Sequence, residues 1–268
     1  MAGIGSGDLW EIMGDLDHAD YKKAITKKET DPKAEAAMKH IREVAEHRLA
    51  QLLLARFLLL NLLIQEAQQL RKGLREKDHR RLWVLLQAQP QIFSDDLEDD
   101  IFITLTRLLR HASIDDLKDR IRKQYQKVRQ VLSKVQDPVT GEDAIPPLFC
   151  VLDEAQVATT LRGDDFTSGD YLHKRPVLRE IWLLWSTVLP FWQMRLVLSG
   201  TGIDLQALKG TLESSALKEQ PYTIKCDVGA FEDPQSQAEY IKRYVPACWT
   251  DPRWSEFLVR AWAWFHGR

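Results

Sequence analysis

The chain has 268 residues, of which 44% are apolar and 28% are charged, an ordinary composition for a soluble globular protein. Its formal net charge of −2 excludes a global attraction to nucleic acid or anionic lipid, so any basic binding surface has to be local. The three cysteines (Cys150, Cys226 and Cys248) form no CxxC pair, which argues against a disulfide framework and favours a reducing, intracellular location.

The predicted elements begin with a poorly ordered, glycine-punctuated leader over residues 1–33 and a helical segment over 34–80, where apolar residues recur at steps of three and four. The longest apolar stretch, 49–64, is about 16 residues, shorter than the roughly 20 that a membrane span needs. It also contains Arg56, so we expect a buried or amphipathic helix and no membrane association. No secretory signal is visible at the N-terminus.

The rest of the chain is predicted to alternate strands with helices. The short apolar run LWVLLQ (82–87), ended by Pro90, suits a buried strand. The alternation implies parallel pairing and therefore an α/β fold over 81–230, with helices closing the chain over 231–268. The predicted strands are 82–87, 147–152, 195–199 and 223–226, and the predicted helices are 95–110 (opened by Ser94), 114–135, 175–191, 234–244 and 251–265.

The segment LFCVLDEAQ (148–156) is the first candidate for chemistry. Its apolar residues predict a strand buried on both faces of a parallel sheet, and Asp153 and Glu154 follow at the C-terminal end, where open α/β sheets place their ligands. In phosphate-processing sites the first acid holds Mg²⁺, often through water, and the second orients or deprotonates the attacking water. A strand that simply ends in acidic loop residues is the alternative interpretation.

A second apolar strand, RLVLSGTG (195–202), follows about 45 residues later. It ends in small polar residues and glycines, so Ser199 or Thr201 is expected at the same sheet edge as Asp153. A polar group there can sense a γ-phosphate or position water, whereas the glycines by themselves also suit a tight turn. The two strands in this order are more specific for a nucleotide site than either strand alone.

The order of a LWVLLQ strand, helices, LFCVLDEAQ, a Trp-rich helix and LVLSGTGID resembles the second half of a P-loop ATPase core. More narrowly, it is similar to the AAA/STAND-like ATPase module of Crinkler-type and retrotransposon-hot-spot-type proteins, over roughly residues 45–268. The resemblance implies a parallel-sheet P-loop NTPase-like core with flanking helices, ATP and Mg²⁺ as cofactors, and an effector domain or protein partner. It assigns Asp153 to Mg²⁺ and, with Gln156, to nucleotide binding, Glu154 to catalysis, and Ser199 or Thr201 to the sensor position.

The chain departs from this family because it has no Walker A string, GxxxxGK[ST], whose backbone N–H groups and lysine hold the phosphates. The nearest glycine-rich stretch, Gly3 to Gly7, lacks the lysine and does not follow a strand. We therefore expect an incomplete or degenerate ATPase (a fragment, a shortened product or a decayed gene) with weak or no hydrolysis alone.

Two other functions stay open at the level of sequence. The first is a non-catalytic protein-interaction scaffold derived from such an ATPase, and the second is a helicase fragment, although no QxxGRxxR-like string follows. The basic runs 71–81 and 118–134 contain acids, which favours solvated surfaces over nucleic-acid contacts. Arg162, Arg175, Arg179 and Arg268 are unranked candidates for phosphate sensing.

Overall fold

The computed structural model describes residues 32–69, 76–93, 100–132, 148–153, 155–160, 166–167, 174–189, 194–200, 208, 233–244 and 253–265. The chain divides into two compact units, residues 1–218 and 219–268, which are described separately below. The predicted strand at 223–226 and almost all of the predicted leader lie outside the described residues.

The first unit is built around one long helix, α1 (Pro32–Gln69). Its proline stands at the first helical position, where the missing N–H costs little, and α1 contains no glycine. Residues 49–57 are buried on every side of the helix, so α1 forms the centre of the core. Its buried amides have partners on other elements: Gln51 Nε2 donates to Leu109 O (3.1 Å), and Asn61 Nδ2 donates to Gln124 O (3.0 Å).

Within α1, the segment Met38–Ala67 is long and apolar enough to cross a membrane by length and composition alone. In the structure, 61% of its most apolar 18-residue stretch is buried inside the protein. Buried core helices also meet this criterion of length and composition. Arg56 agrees with a core position, because its guanidinium carbon lies 4.0 Å from the centre of the Phe102 ring on a neighbouring helix.

α1 packs against α2 (Glu76–Ala88), α3 (Ile101–Leu108) and α4 (Ile114–Leu132), and a short 3₁₀ turn, Pro90–Phe93, follows α2. The helix predicted over 114–135 is confirmed as far as Leu132. Tyr125 of α4 meets the ring of Phe57 edge-on, with ring centres 6.1 Å apart. The buried residues of α4 (Leu117, Ile121, Tyr125 and Val128) recur at steps of three and four, as one helix face requires.

The strand predicted at 82–87 is wrong, because these residues belong to the helix α2. Leu86 is buried against Leu59 and Phe102, while Val84 and Leu85 are 50% and 43% exposed. A six-residue apolar run fits a buried strand or one side of a helix equally well, and the packing against α1 selects the helix.

The helix predicted from Asp95 is observed only from Ile101, and residues 94–99 lie outside the described part. Asp100 is its N-cap, with Oδ1 accepting from Phe102 N (2.8 Å) and Ile103 N (3.4 Å). The residue that caps α3 is thus Asp100, the last of the acidic cluster, and not the predicted Ser94.

The strand predicted at 147–152 is present as β1 (Leu148–Leu152), and the strand predicted at 195–199 is present as β4 (Met194–Leu198). Between them lie helix α5 (Ala155–Thr160), the short strands β2 (Phe166–Thr167) and β3 (Lys174–Arg175), and helix α6 (Val177–Val188). β1 and β4 pair in parallel, with Leu148 opposite Met194 and Leu152 opposite Leu198. β2 and β3 form a separate antiparallel pair.

The predicted fold class, a parallel-sheet P-loop NTPase-like core, is contradicted. Of the residues that the structure describes, 81% are helical, and their parallel sheet has two strands, β1 and β4. One reason is that residues 82–87, predicted as a strand, belong to the helix α2. Another is that α1 is buried on every side over residues 49–57, so helices pack on it where an α/β protein would have a central sheet.

The Trp-rich helix α6 packs on α1 and begins after Pro176, whose extended backbone suits the position before a helix. In the second unit, the structure describes helices α7 (Pro234–Tyr244) and α8 (Trp254–Phe265), in agreement with the predicted closing helices. Trp254 and Phe257 of α8 stack, with ring centres 5.3 Å apart.

Candidate functional site

The parallel pairing of β1 and β4 brings their C-terminal ends together. Ser199 N donates to Leu152 O (2.9 Å), and Ser199 O accepts from Ala155 N (2.8 Å). These two bonds extend the ladder one residue beyond β4 and fix the chain on both sides of Asp153. The predicted placement of Asp153 beside Ser199 is therefore confirmed.

A hydrogen bond joins the two side chains directly, from Ser199 Oγ to Asp153 Oδ1. Both residues are half-buried, so the carboxylate keeps access to solvent while one of its oxygens is held by the hydroxyl. A bond to a charged acceptor is stronger than one between neutral groups. The contact therefore orients the acid at the end of the sheet.

Gln156 and Gly200 complete the described part of the site. A Cβ built on Gly200 would overlap Gln156 Oε1 and lie 3.1 Å from Ala155 N. A larger residue at position 200 would therefore displace the Gln156 side chain and press on the backbone of Ala155. The close approach to Gly200 places Gln156 over the strand end that carries Ser199.

Two of the predicted site residues, Glu154 and Thr201, lie outside the described residues, as does the Gly3 to Gly7 stretch. The structure brings together Asp153, Gln156 and Ser199 from the predicted set. The catalytic role of Glu154 and the sensor role of Ser199 or Thr201 stay predictions.

The described residues fit one side of a magnesium site. Mg²⁺ prefers oxygen ligands and is commonly bound by one or two carboxylates together with water and substrate phosphates. Asp153 offers carboxylate oxygens, and Ser199 offers a hydroxyl oxygen beside them. No group of three or more His, Cys, Asp or Glu side chains suitable for a metal occurs in the described ranges.

Arg179, one of the candidates for phosphate sensing, has a structural partner instead. Its Nη1 donates to Glu180 Oε1 (2.8 Å), and Arg42 of α1 places its Nε 3.7 Å from Glu180 Oε2. Burial raises the pKa of Glu180, and the two arginines offset part of that effect. Sequence reasoning missed this cluster, because it depends on the packing of α6 against α1.

A small apolar crevice lies beside β1 and was also missed by sequence reasoning. Its volume is about 90 Å³, and its lining includes Leu53, Trp83, Phe149 and Trp185. Small-molecule sites are usually ~300–1,000 Å³, so this crevice is too small for a nucleotide. Among the described residues, the strand-end site around Asp153 is therefore the better candidate for ligand chemistry.

No protein-family model, curated protein or solved structure matches this chain. The similarity to the Crinkler-type ATPase module thus rests on the LFCVLDEAQ and SGTG segments, and it stays a prediction.

Proposed function

We propose that the chain is a nucleotide-binding module of little or no catalytic power, in which Asp153 and Ser199 contribute to holding the Mg²⁺ that accompanies ATP. The observation that carries the proposal is the hydrogen bond from Ser199 Oγ to Asp153 Oδ1, between the ends of two parallel strands. Ligands of parallel sheets bind at this end. The proposal also places the chain inside the cell.

In this proposal each side chain has a distinct task. Ser199 holds the Asp153 carboxylate in one orientation, so that its oxygens face a cation without a large loss of side-chain entropy on binding. Gln156, held over Gly200, supplies an amide close to the same point. Bound Mg²⁺ would neutralise phosphate charge. Glu154 would orient or deprotonate the attacking water in any residual hydrolysis.

Weak binding is expected because the site is poor in positive charge. The described members of the site are an acid, an amide, a hydroxyl and a glycine, and none of the four is a cation. The sequence also has no GxxxxGK[ST] loop to cradle phosphates. Without those donors, affinity would depend on Mg²⁺ held by Asp153, which would supply positive charge to the phosphates.

The test is calorimetric titration of the full chain with ATP, with and without Mg²⁺. We expect a dissociation constant near or above about 1 mM, equivalent to roughly −4 kcal/mol, that depends on Mg²⁺. Asp153→Asn should weaken binding at least about tenfold, the factor that corresponds to 1.4 kcal/mol. Asp115→Asn is the matched control, because Asp115 is an exposed aspartate on α4.

Two results would count against the proposal. Absence of Mg²⁺-dependent binding, or binding that Asp153→Asn leaves unchanged, would remove the metal role of Asp153. Steady ATP turnover by the purified chain, lost in Glu154→Gln, would show that the module is a competent hydrolase and contradict its proposed weakness.

A non-catalytic interaction scaffold is the second candidate, favoured by the exposed apolar face of the sheet. Phe149 is 61% exposed and Val197 is 37% exposed. They project from the same face, because Val197 pairs with Val151, two residues after Phe149. If a second copy covers this face, sedimentation velocity should detect association in the wild type and monomers in Phe149→Ser. Concentration-independent monomers in both would reject this candidate.

A further inference from the structure

The C-terminal half of α4 carries a concentration of positive charge that the proposed nucleotide site does not use. Between Arg120 and Leu132 the sequence contains five basic residues and no acidic residue, although the whole chain has a net charge of −2. The five are Arg120, Arg122, Lys123, Lys127 and Arg129. Positive charge at this end of a helix also complements the helix dipole.

Part of this charge forms a continuous stripe on the outer side of α4. Arg120, Lys123, Lys127 and Gln130 follow one another at steps of three and four, with Gln126 beside them, and they line one shallow surface depression. The stripe faces away from the core, because the buried residues Leu117, Ile121, Tyr125 and Val128 lie on the opposite side. We call these five residues (120, 123, 126, 127 and 130) the α4 stripe.

The cations of the α4 stripe are available to an anion. Arg120 pairs with Asp116 (2.9 Å) and Lys123 with Asp119 (2.6 Å), but all four side chains are more than 40% exposed. Such exposed pairs contribute little, so exchanging a carboxylate for a phosphate costs little. Lys127 has no carboxylate partner in the part of the chain that the structure describes.

The core holds the helix rigidly beneath the stripe. Asn61 of α1 donates to Gln124 Oε1 (2.8 Å), Glu46 pairs with Lys118 (2.6 Å), and Phe57 packs against Tyr125. A fixed spacing of charges lowers the entropy lost when they meet a regular array of phosphates.

We propose that the α4 stripe binds the phosphate backbone of duplex DNA. The ten-residue rise from position 120 to 130 is about 15 Å, which spans roughly four phosphates of one strand at 3.4 Å each. The amide of Gln126 adds an uncharged donor of the kind that contacts phosphate oxygens. The stripe contains no aromatic residue on which an unpaired base could stack, so duplex is favoured over single strands.

The test uses the full chain and a fluorescein-labelled 20-base-pair duplex, with anisotropy measured between about 50 and 200 mM NaCl. The double variant Lys123→Gln, Lys127→Gln should lower affinity about tenfold or more at 100 mM salt and reduce the salt slope by about 1 for each lysine. Lys39→Gln, Arg260→Gln is the charge-matched control, since both are exposed and lie on other helices. Its binding should stay within about twofold of the wild type.

Circular dichroism of each variant separates loss of binding from loss of folding. The proposal is overturned if the wild type does not bind, if the stripe variant binds like the wild type, or if the control loses as much affinity. It is also overturned if single-stranded DNA of the same length or anionic phosphatidylserine vesicles bind better than the duplex. None of these outcomes depends on whether ATP binds near Asp153.

Discussion

Ser199 and Asp153 are 46 positions apart, and the hydroxyl of the first donates to a carboxylate oxygen of the second at the end of the parallel sheet. Removing the hydroxyl in Ser199→Ala leaves the half-buried carboxylate without this donor. We expect a loss of about 0.5–1.5 kcal/mol in the free energy of unfolding, measured by urea denaturation. Ser199→Thr, which keeps a hydroxyl, should retain more of the stability than Ser199→Ala. Equal stability of the wild type and Ser199→Ala would mean that the bond does not form in solution.

Phe102 joins two parts of the helical core, because its fully buried ring packs against Leu59 and Leu86 and lies 4.0 Å from the guanidinium carbon of Arg56. Phe102→Ala removes apolar contacts and the cation–π partner of a buried arginine. We expect a loss of roughly 3–5 kcal/mol, measured by chemical denaturation. Leu108→Ala on the same helix is the control and should change stability by less than about 0.5 kcal/mol, since Leu108 is 74% exposed. A small effect of Phe102→Ala would contradict this packing.

Some of the fold could be predicted because the relevant signals are local. The strands β1 and β4 are short apolar runs followed directly by the polar residues Asp153 and Ser199, and both are present. The helix α4 was predicted from its periodicity. The strand at 82–87 was wrong because a run of six apolar residues carries no period long enough to separate a strand from a helix. Because residues 82–87 are helical, they contribute no strand to the predicted parallel sheet.

The candidate site was partly predictable for a similar reason. Parallel strands end at the same sheet edge, so the approach of Ser199 to Asp153 follows from two strand assignments. The position of Gln156 over Gly200 and the contact of Arg42 with Glu180 could not be predicted. Each depends on how a helix packs on another element, which no local pattern in one sequence specifies.

Asp100 provides a direct check on where α3 begins. Its carboxylate accepts from two backbone N–H groups of the first turn, and its side chain is buried. Asp100→Ala should therefore cost about 0.5–2 kcal/mol of stability, whereas Asp100→Asn should retain most of the capping. Thermal and urea unfolding of both variants would measure this. If Asp100→Ala is neutral, the helix has another cap upstream.

Glu180 should make stability depend on pH. Its pKa is raised from the ordinary value of 4.5, first by burial, and Arg179 and Arg42 counteract only part of that effect. The folded state thus binds this proton more tightly than the unfolded state does. The contribution of Glu180 to stability is therefore fully present below the unfolded pKa and is lost as pH rises through the higher folded pKa.

The variant Glu180→Gln carries no titrating proton at this position. We expect its stability relative to the wild type to increase with pH from about 4.5 upwards, because only the wild type is penalised by ionising a buried acid. Urea denaturation at half-unit pH steps between 4 and 8 measures the difference. Glu239→Gln is the control for the loss of one glutamate, since Glu239 is exposed on α7. A difference for Glu180→Gln that falls as pH rises would show that the arginines outweigh burial and lower the pKa of Glu180.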